Sequence, residues 1–185
     1  SELSRDVGVK ADTVRNYLDY LEKTFIVHRT RPFYTNKRKE ITKSPVIYFS
    51  DPGLRNYAVQ RFGQLNTPSE FGELFEMFIH NFLRRKLRFT SYNVRYWRTK
   101  SQAEVDLVVT RGNSPELPVE VKYREMESAE TTRSLRSFVE KYSPGKALVV
   151  NLSLQETTEI NGTKVEFLPY PNLLFQIERL LVDRP

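Results

Sequence analysis

The sequence predicts an α/β protein in two parts: a small winged-helix-like domain over 1–62, then an α/β sandwich with a mixed central sheet over 67–185. Three observations carry this reading. Ser1 to Lys23 has the pattern of two short helices and is followed by two β-rich runs, and a hairpin after a helix-turn-helix makes a winged helix. From Thr67 onward the order of apolar patterns is helix, strands, helix, strand, strand, helix. Between the two parts, the polar stretch Gly63 to Pro68 reads as a boundary.

In the first part, Leu3 and Val7 form a small apolar stripe that Gly8-Val9 interrupts. Val14, Tyr17, Leu18 and Leu21 then recur at helical spacing over Ala11 to Lys23, the helix that would serve as the recognition element. Many helical hairpins that only pack against a neighbour share this pattern. The runs Phe25 to Arg29 and Val46 to Phe49 flank a loop with Lys37, Arg38 and Lys39. Six basic residues against one acid from Arg29 to Lys43 suit a wing lying on phosphates, and equally a solvated loop. Asp51-Pro52-Gly53 turns into a short helix from Leu54 to about Phe62.

The second part opens on Thr67-Pro68-Ser69-Glu70, an N-cap hydroxyl followed by proline at the first helical position and glutamate at the third. The helix is expected to run to about Leu87 and to bury Phe71, Leu74, Phe75, Phe78, Ile79, Phe82 and Leu83. Glu76 falls on the edge of that stripe and Glu73 nearly opposite it, so Glu76 can reach a site beside the sheet, or be an ordinary flanking carboxylate. From Arg84 to Lys100 there are seven basic residues, Arg95, Arg98 and Lys100 among them, and no acid. They are interleaved with Phe89, Tyr92, Tyr96 and Trp97, which suits phosphate contact and stacking on unpaired bases. The alternative is a strand from Val94 to Arg98 whose aromatics are core.

The centre of the chain is Ala103 to Val109, a turn-rich loop from Thr110 to Glu116, and Pro118 to Tyr123. Both runs alternate charged and aliphatic residues, which predicts a hairpin that brings Asp106, Glu120 and Lys122 together. Carboxylates at close range repel unless a cation lies between them, and hard oxygen ligands favour Mg²⁺ or Mn²⁺. A half-exposed hairpin with a solvated Glu120–Lys122 pair shows the same alternation. Downstream, Ala129 to Tyr142 reads as a helix, Lys146 to Leu152 and Val165 to Pro169 as strands, and Pro171 to Val182 as the closing helix.

The absence of cysteine excludes disulfides and thiolate zinc sites, and two histidines make a histidine metal site a poor expectation, so a metal would be held by oxygen. A net charge of +6 favours a polyanion such as DNA as partner. No apolar run is long enough to span a membrane and no signal peptide is present, which points to the cytoplasm. No phosphate-binding glycine loop is found, since Gly145-Lys146 lacks the upstream glycine spacing. Starting at Ser1 within a helical pattern, the chain reads as part of a longer protein.

The order Gly72-x-x-x-Glu76, Glu104-Val105-Asp106, Glu120-Val121-Lys122 on helix, strand and strand resembles the PD-(D/E)XK nuclease superfamily. The wider pattern includes Thr13 to Leu18, Tyr48 to Asn56, Gly72-Glu73-Leu74-Phe75-Glu76 and Trp97 to Asp106. It resembles the C-terminal half of archaeal and bacterial AAA+ ATPases, a winged-helix segment followed by a domain of unknown function with a nuclease-like fold. The resemblance implies a restriction-endonuclease-like, PD-(D/E)XK nuclease-like domain over 67–185. Asp106, Glu120 and the Val121 carbonyl would bind Mg²⁺ or Mn²⁺, Lys122 would position the attacking water, and Glu76 would act through a metal-bound water or a second metal. Lys37, Arg38, Lys39, Arg95, Arg98 and Lys100 are the nucleic-acid-binding candidates. ATP would bind only in an N-terminal AAA+ ATPase domain, and assembly into a homo-oligomer stays open. One departure is Glu104 two residues before Asp106, with no proline preceding the aspartate. The implied reaction is Mg²⁺-dependent DNA phosphodiester hydrolysis. The rival is a non-catalytic module that grips DNA or a protein for the motor.

Overall fold

The structure, a computed structural model, describes residues 2–35 and 44–182, so Lys37, Arg38 and Lys39 lie outside the described residues. The first elements are α1 (Glu2–Val7), α2 (Ala11–Lys23), β1 (Val27–Thr30), β2 (Val46–Phe49) and α3 (Pro52–Ala58). β1 and β2 pair antiparallel from Val27↔Phe49 to Thr30↔Val46, the hairpin expected from their β-branched and aromatic runs. The stripe expected on α2 is only half covered: Val14, Leu18 and Leu21 are partly buried and Tyr17 stays exposed. α3 begins at Pro52 and stops at Ala58, shorter than the pattern suggested, with Asp51 Oδ1 accepting from Leu54 N at 2.8 Å as its N-cap.

The remaining elements are α4 (Pro68–Lys86), β3 (Tyr92–Arg98), β4 (Glu104–Arg111), β5 (Ser114–Val121), α5 (Arg133–Tyr142), β6 (Lys146–Asn151), β7 (Glu156–Ile160), β8 (Thr163–Pro169) and α6 (Tyr170–Val182). Six strands form one mixed sheet in the order β3-β4-β5-β6-β8-β7. β5, β6 and β8 run parallel, and the other pairings are antiparallel. Val109, Leu117, Val119 and Val150 pack with Phe75, Ile79 and Leu83 of α4 and Leu173 and Ile177 of α6. On the opposite face Val105, Val149, Val165 and Phe167 pack with Leu135 and Phe138 of α5. The sheet is thus covered on both faces, and the aliphatic run of β6 is buried on both, as a central parallel strand requires.

α4 keeps its expected capping box: Thr67 Oγ1 accepts from Glu70 N, and Glu70 Oε2 accepts from Thr67 N. Its buried face differs from the expectation, with Met77, His80 and Asn81 buried and Phe78 partly exposed. The cause is the β1–β2 hairpin, which packs against a second side of the helix. Tyr48 stacks on His80 with ring centroids 3.9 Å apart, and Asn81 Nδ2 donates to the Phe49 and Ser50 carbonyls. Burial pushes His80 down to about 4, so the ring is neutral; its Nδ1 donates to Asn81 Oδ1 and its Nε2 accepts from the Thr30 hydroxyl at 2.7 Å. Phe33 also crosses from the first part, buried beside Phe138 and Tyr142.

Three further features differ from expectation for local reasons. The stretch read as a loop from Thr110 to Glu116 is mostly strand, with the turn at Gly112-Asn113, Gly112 at φ +60° and a register shift between Val109 and Thr110. α5 starts at Arg133 because Thr132 Oγ1 accepts from Leu135 N at 3.1 Å, and Ser143 in the left-handed region ends it. β7, which the apolar pattern did not signal, is a polar edge strand joined to β8 by Asn161-Gly162, both at positive φ.

Candidate functional site

The antiparallel β4–β5 pairing puts Asp106 and Glu120 on adjacent strands, but not by simple alternation. Between β3 and β4 the register passes from Arg95↔Val108 to Trp97↔Val105, so Asp106 and Leu107 together oppose Tyr96. This is a β-bulge, and it turns the strand: Val105 packs on the α5 side and Leu107 on the α4 side, although an unbroken period of two gives them one face. The backbone N–H of Val121 donates to Asp106 Oδ2 at 2.7 Å and fixes the carboxylate against β5.

Glu120 is 2 % exposed. One of its oxygens accepts from the Thr132 hydroxyl at the N-cap of α5. The other, Oε2, is buried and has no hydrogen-bond partner among the described residues; Lys122 Nζ stands 3.5 Å away, at ion-pair rather than hydrogen-bond distance. The partly exposed Lys122 is anchored by its backbone, whose N–H donates to the Val150 carbonyl at 2.8 Å. Burial raises Glu120 above the usual carboxylate range; the Lys122 charge and the Thr132 hydroxyl oppose the rise, and the Asp106 charge adds to it. Burial also raises Asp106, against the Val121 N–H and the Lys122 charge.

Glu76 reaches this cluster from α4. Burial pushes it up to about 7, the Tyr48 hydroxyl opposes the rise by donating to Oε1 at 2.5 Å, and the charges of Asp106 and Glu104 push it further. Glu73 points elsewhere and pairs with Arg55 at 3.1 Å. Glu104, the departure noted in the sequence, is held by Arg98 through bonds of 2.9, 2.8 and 2.6 Å. That fork occupies one of the expected nucleic-acid contacts. Arg95 is half-buried on β3 and Lys100 is exposed in the turn after it. Tyr96 and Trp97 are core, Tyr96 donating to the Ser44 carbonyl and Trp97 Nε1 to the Tyr142 hydroxyl, which leaves Phe89 and Tyr92 as the accessible rings of that segment.

Sequence reasoning missed Tyr48 and Thr132. Tyr48 lies 28 positions from Glu76, and no local pattern links the two. Thr132 carried a readable N-cap signal, which locates the helix start but not the contact with Glu120. Among the described residues no group of three His, Asp or Glu gathers at metal-holding distance. The oxygen donors on hand are the carboxylates of Asp106 and Glu120, with Glu76 behind them. Their chemistry and the orphaned Glu120 Oε2 fit a hard divalent cation, while the missing third carboxylate leaves waters to complete its shell. Among the described residues no helix is long and apolar enough to cross a membrane.

A family model described as Domain of unknown function (DUF4143) matches residues 71–173, and one described as Domain of unknown function (DUF8612) matches residues 1–65. The uncharacterized protein Rv2008c of Mycobacterium tuberculosis is 32 % identical over 117 residues, which is 62 % of this chain and 26 % of that protein. The uncharacterized protein Mb2031c of Mycobacterium bovis matches to the same extent. The chain therefore spans about a quarter of the length of these curated relatives. A solved half-complex from a tetradecameric assembly of Thermococcus gammatolerans McrB AAA+ hexamers with bound McrC gives a TM-score of 0.43 at 19 % identity, covering 53 % of this chain and 27 % of that one.

Proposed function

The chain belongs to the family described as Domain of unknown function (DUF4143), and we propose that it carries a divalent-cation-dependent phosphodiester-hydrolysing site built on Asp106, Glu120 and Lys122. The observation that carries the reading is the buried Glu120 Oε2, which has no hydrogen-bond partner among the described residues, beside the partly buried Asp106. Two desolvated carboxylates with one lysine between them are poorly compensated, and a cation supplies what is missing. The order of these residues on helix, strand and strand, with its resemblance to PD-(D/E)XK nucleases, supplies the reaction class and the substrate, DNA. By the same resemblance we place the chain in the C-terminal part of an AAA+ ATPase, with 1–62 as a winged-helix-like DNA-binding unit and ATP bound elsewhere in the full protein.

In this reading Asp106, Glu120 and the Val121 carbonyl hold Mg²⁺ or Mn²⁺, which would act as a Lewis acid on a phosphoryl oxygen. Lys122 lies where its ammonium offsets charge developing on the attacked phosphate and orients a water toward it. Glu76, half-protonated near neutral pH, is suited to take or return a proton through a water at the edge of the cluster. Thr132 and the Val121 N–H fix the two carboxylates and leave them little freedom to rotate.

A second reading has an observation of its own. The lack of a three-ligand group among the described residues favours a module that binds without cleaving, with Lys122 only an ion-pair partner of Glu120. The deciding experiment is thermal unfolding with and without MnCl₂. The wild type is expected to be stabilised and Asp106→Asn to lose the effect, since ligand binding stabilises by mass action. An equal response from both proteins removes the cation site and leaves the binding module.

A further inference from the structure

A cleft of about 590 Å³ lies at the other end of α4, bounded by the α4 C-terminus, the start of β3 and the β1–β2 hairpin. Arg84 is eight residues beyond Glu76, about 12 Å along the helix axis, so the cleft is separate from the carboxylate cluster. Arg84, Arg85 and Arg88 line it, and no acidic residue is among its described lining. Arg84 Nη1 reaches His28 Nε2 at 3.0 Å and the Arg88 guanidinium lies 5.2 Å from the centroid of the Phe89 ring, while neither Arg85 nor Arg88 makes an ion pair with a described carboxylate. Glu22, whose charge reaches Arg84, is already held by Arg29, as is Asp19. A helix C-terminus carries only about half a negative charge, far less than three guanidiniums supply.

The second observation is independent of charge. Phe25, 71 % exposed, is part of the wall of the cleft. It occupies the position after the α2 cap at φ +60°, where Ile26 N–H donates to Leu21 O at 2.9 Å and Phe25 N–H to Glu22 O at 3.1 Å. That is a Schellman motif, and its left-handed position is one that glycine fills without strain. The chain puts a phenylalanine there, strained in its backbone and open to solvent, and the Ser50 hydroxyl pins its carbonyl.

We propose that this cleft is a nucleotide-binding site, with Phe25 stacking on the base and Arg84, Arg85 and Arg88 holding the phosphate. The volume suits one nucleotide. The nucleotide is either free or one unit of a single strand, since both present a base and a phosphate at the same spacing.

The test uses fluorescence anisotropy of the full chain with two probes, fluorescent AMP and a short fluorescein-labelled oligothymidylate. EDTA is present throughout, so failure here leaves the reading of the carboxylate cluster untouched. Phe25→Gly is expected to weaken binding about tenfold, the loss of one stacked base, while its unfolding midpoint stays equal or rises because the backbone strain is relieved. Arg85→Glu/Arg88→Glu is expected to weaken binding by more than tenfold and to flatten its salt dependence, and Arg85→Lys/Arg88→Lys to restore most of it. Binding of AMP identifies the free nucleotide as the ligand; binding of the oligonucleotide alone identifies a strand. Wild-type binding by both variants, or no binding of either probe by the wild type, overturns the proposal.

Discussion

The Tyr48 hydroxyl donates to Glu76 Oε1 across 2.5 Å, so a residue of the N-terminal hairpin forms part of the wall of the carboxylate cluster. The same ring lies flat on His80, so the hairpin, α4 and the cluster share one buried polar network. Burial and the carboxylate beside it push the Tyr48 phenol up, which keeps it protonated and a donor.

This contact sets a pH dependence. Glu76 binds its proton up to about pH 7 in the folded chain against 4.5 ordinarily, so across that window the folded state holds a proton that the unfolded state releases. Its contribution to stability therefore falls as pH rises from about 4.5 to 7. His80 acts oppositely, its stabilising neutrality being gained as pH rises from about 4 to 6.5. Comparison with Glu76→Gln isolates the first effect. Urea unfolding should show the wild type losing up to roughly 3 kcal/mol relative to Glu76→Gln between acid and mildly alkaline pH. Tyr48→Phe, which removes a donor to the charged form, should raise the Glu76 titration further, so that the loss extends to higher pH. A constant difference between wild type and Glu76→Gln across the range would show that Glu76 is not buried in solution.

Thr132 carries two contacts on one hydroxyl, accepting from Leu135 N–H and donating to Glu120. Thr132→Ala removes a helix cap, worth about 1 kcal/mol, and deprives a buried carboxylate of a donor, worth roughly 1–3 kcal/mol more. Thr132→Ser keeps both contacts and should stay near wild type in urea unfolding. If alanine and serine behave alike, the hydroxyl is not engaged as described.

The elements that were legible in the sequence are those whose signal is local. The α4 capping box needs only Thr67, Pro68 and Glu70, and the buried run of β6 needs only its own apolar residues. β7 is polar and its apolar period is silent, yet Asn161-Gly162 before Thr163 was a usable hairpin signal. The partners of the site were not legible, because they depend on packing at long range. Tyr48 meets Glu76 through the hairpin docking on α4, and the bulge at Asp106-Leu107 arises from pairing with β3 rather than from anything within β4. That Asp106 and Glu120 lie on adjacent paired strands followed from the β4–β5 hairpin, whereas the turn of the strand at Asp106 did not. The fork between Arg98 and Glu104, which occupies an expected nucleic-acid contact, needed the register of β3 on β4.

Cation binding by the cluster should compete with protons, because burial raises Asp106, Glu120 and Glu76 alike. A ligand carboxylate must be ionised, so each raised group adds a proton that the cation has to displace. The MnCl₂-induced rise in unfolding midpoint is expected to be small in mild acid and to grow through pH 7. A rise independent of pH would place the cation on exposed carboxylates instead.

The role of Lys122 separates catalysis from structure. In the proposed site its ammonium acts mainly on charge that develops in the transition state, whereas Asp106 and Glu120 hold the cation in the ground state as well. Lys122→Ala should then keep the MnCl₂ shift while losing strand cleavage by at least two orders of magnitude, the usual cost of removing one group that stabilises developing charge. A purely structural ion pair behaves otherwise. Loss of Lys122 would leave Glu120, already short of one partner, with no nearby cation, and the result would be a lower unfolding midpoint without any cation present. The assay is nicking of supercoiled DNA with MnCl₂ by wild type, Lys122→Ala and Asp106→Asn, with unfolding midpoints measured on the same preparations. Cleavage by the wild type alone, at matched stability of Lys122→Ala, assigns the lysine to the reaction. Equal nicking by all three assigns the activity to another site, and a destabilised Lys122→Ala with no wild-type cleavage assigns the cluster to binding.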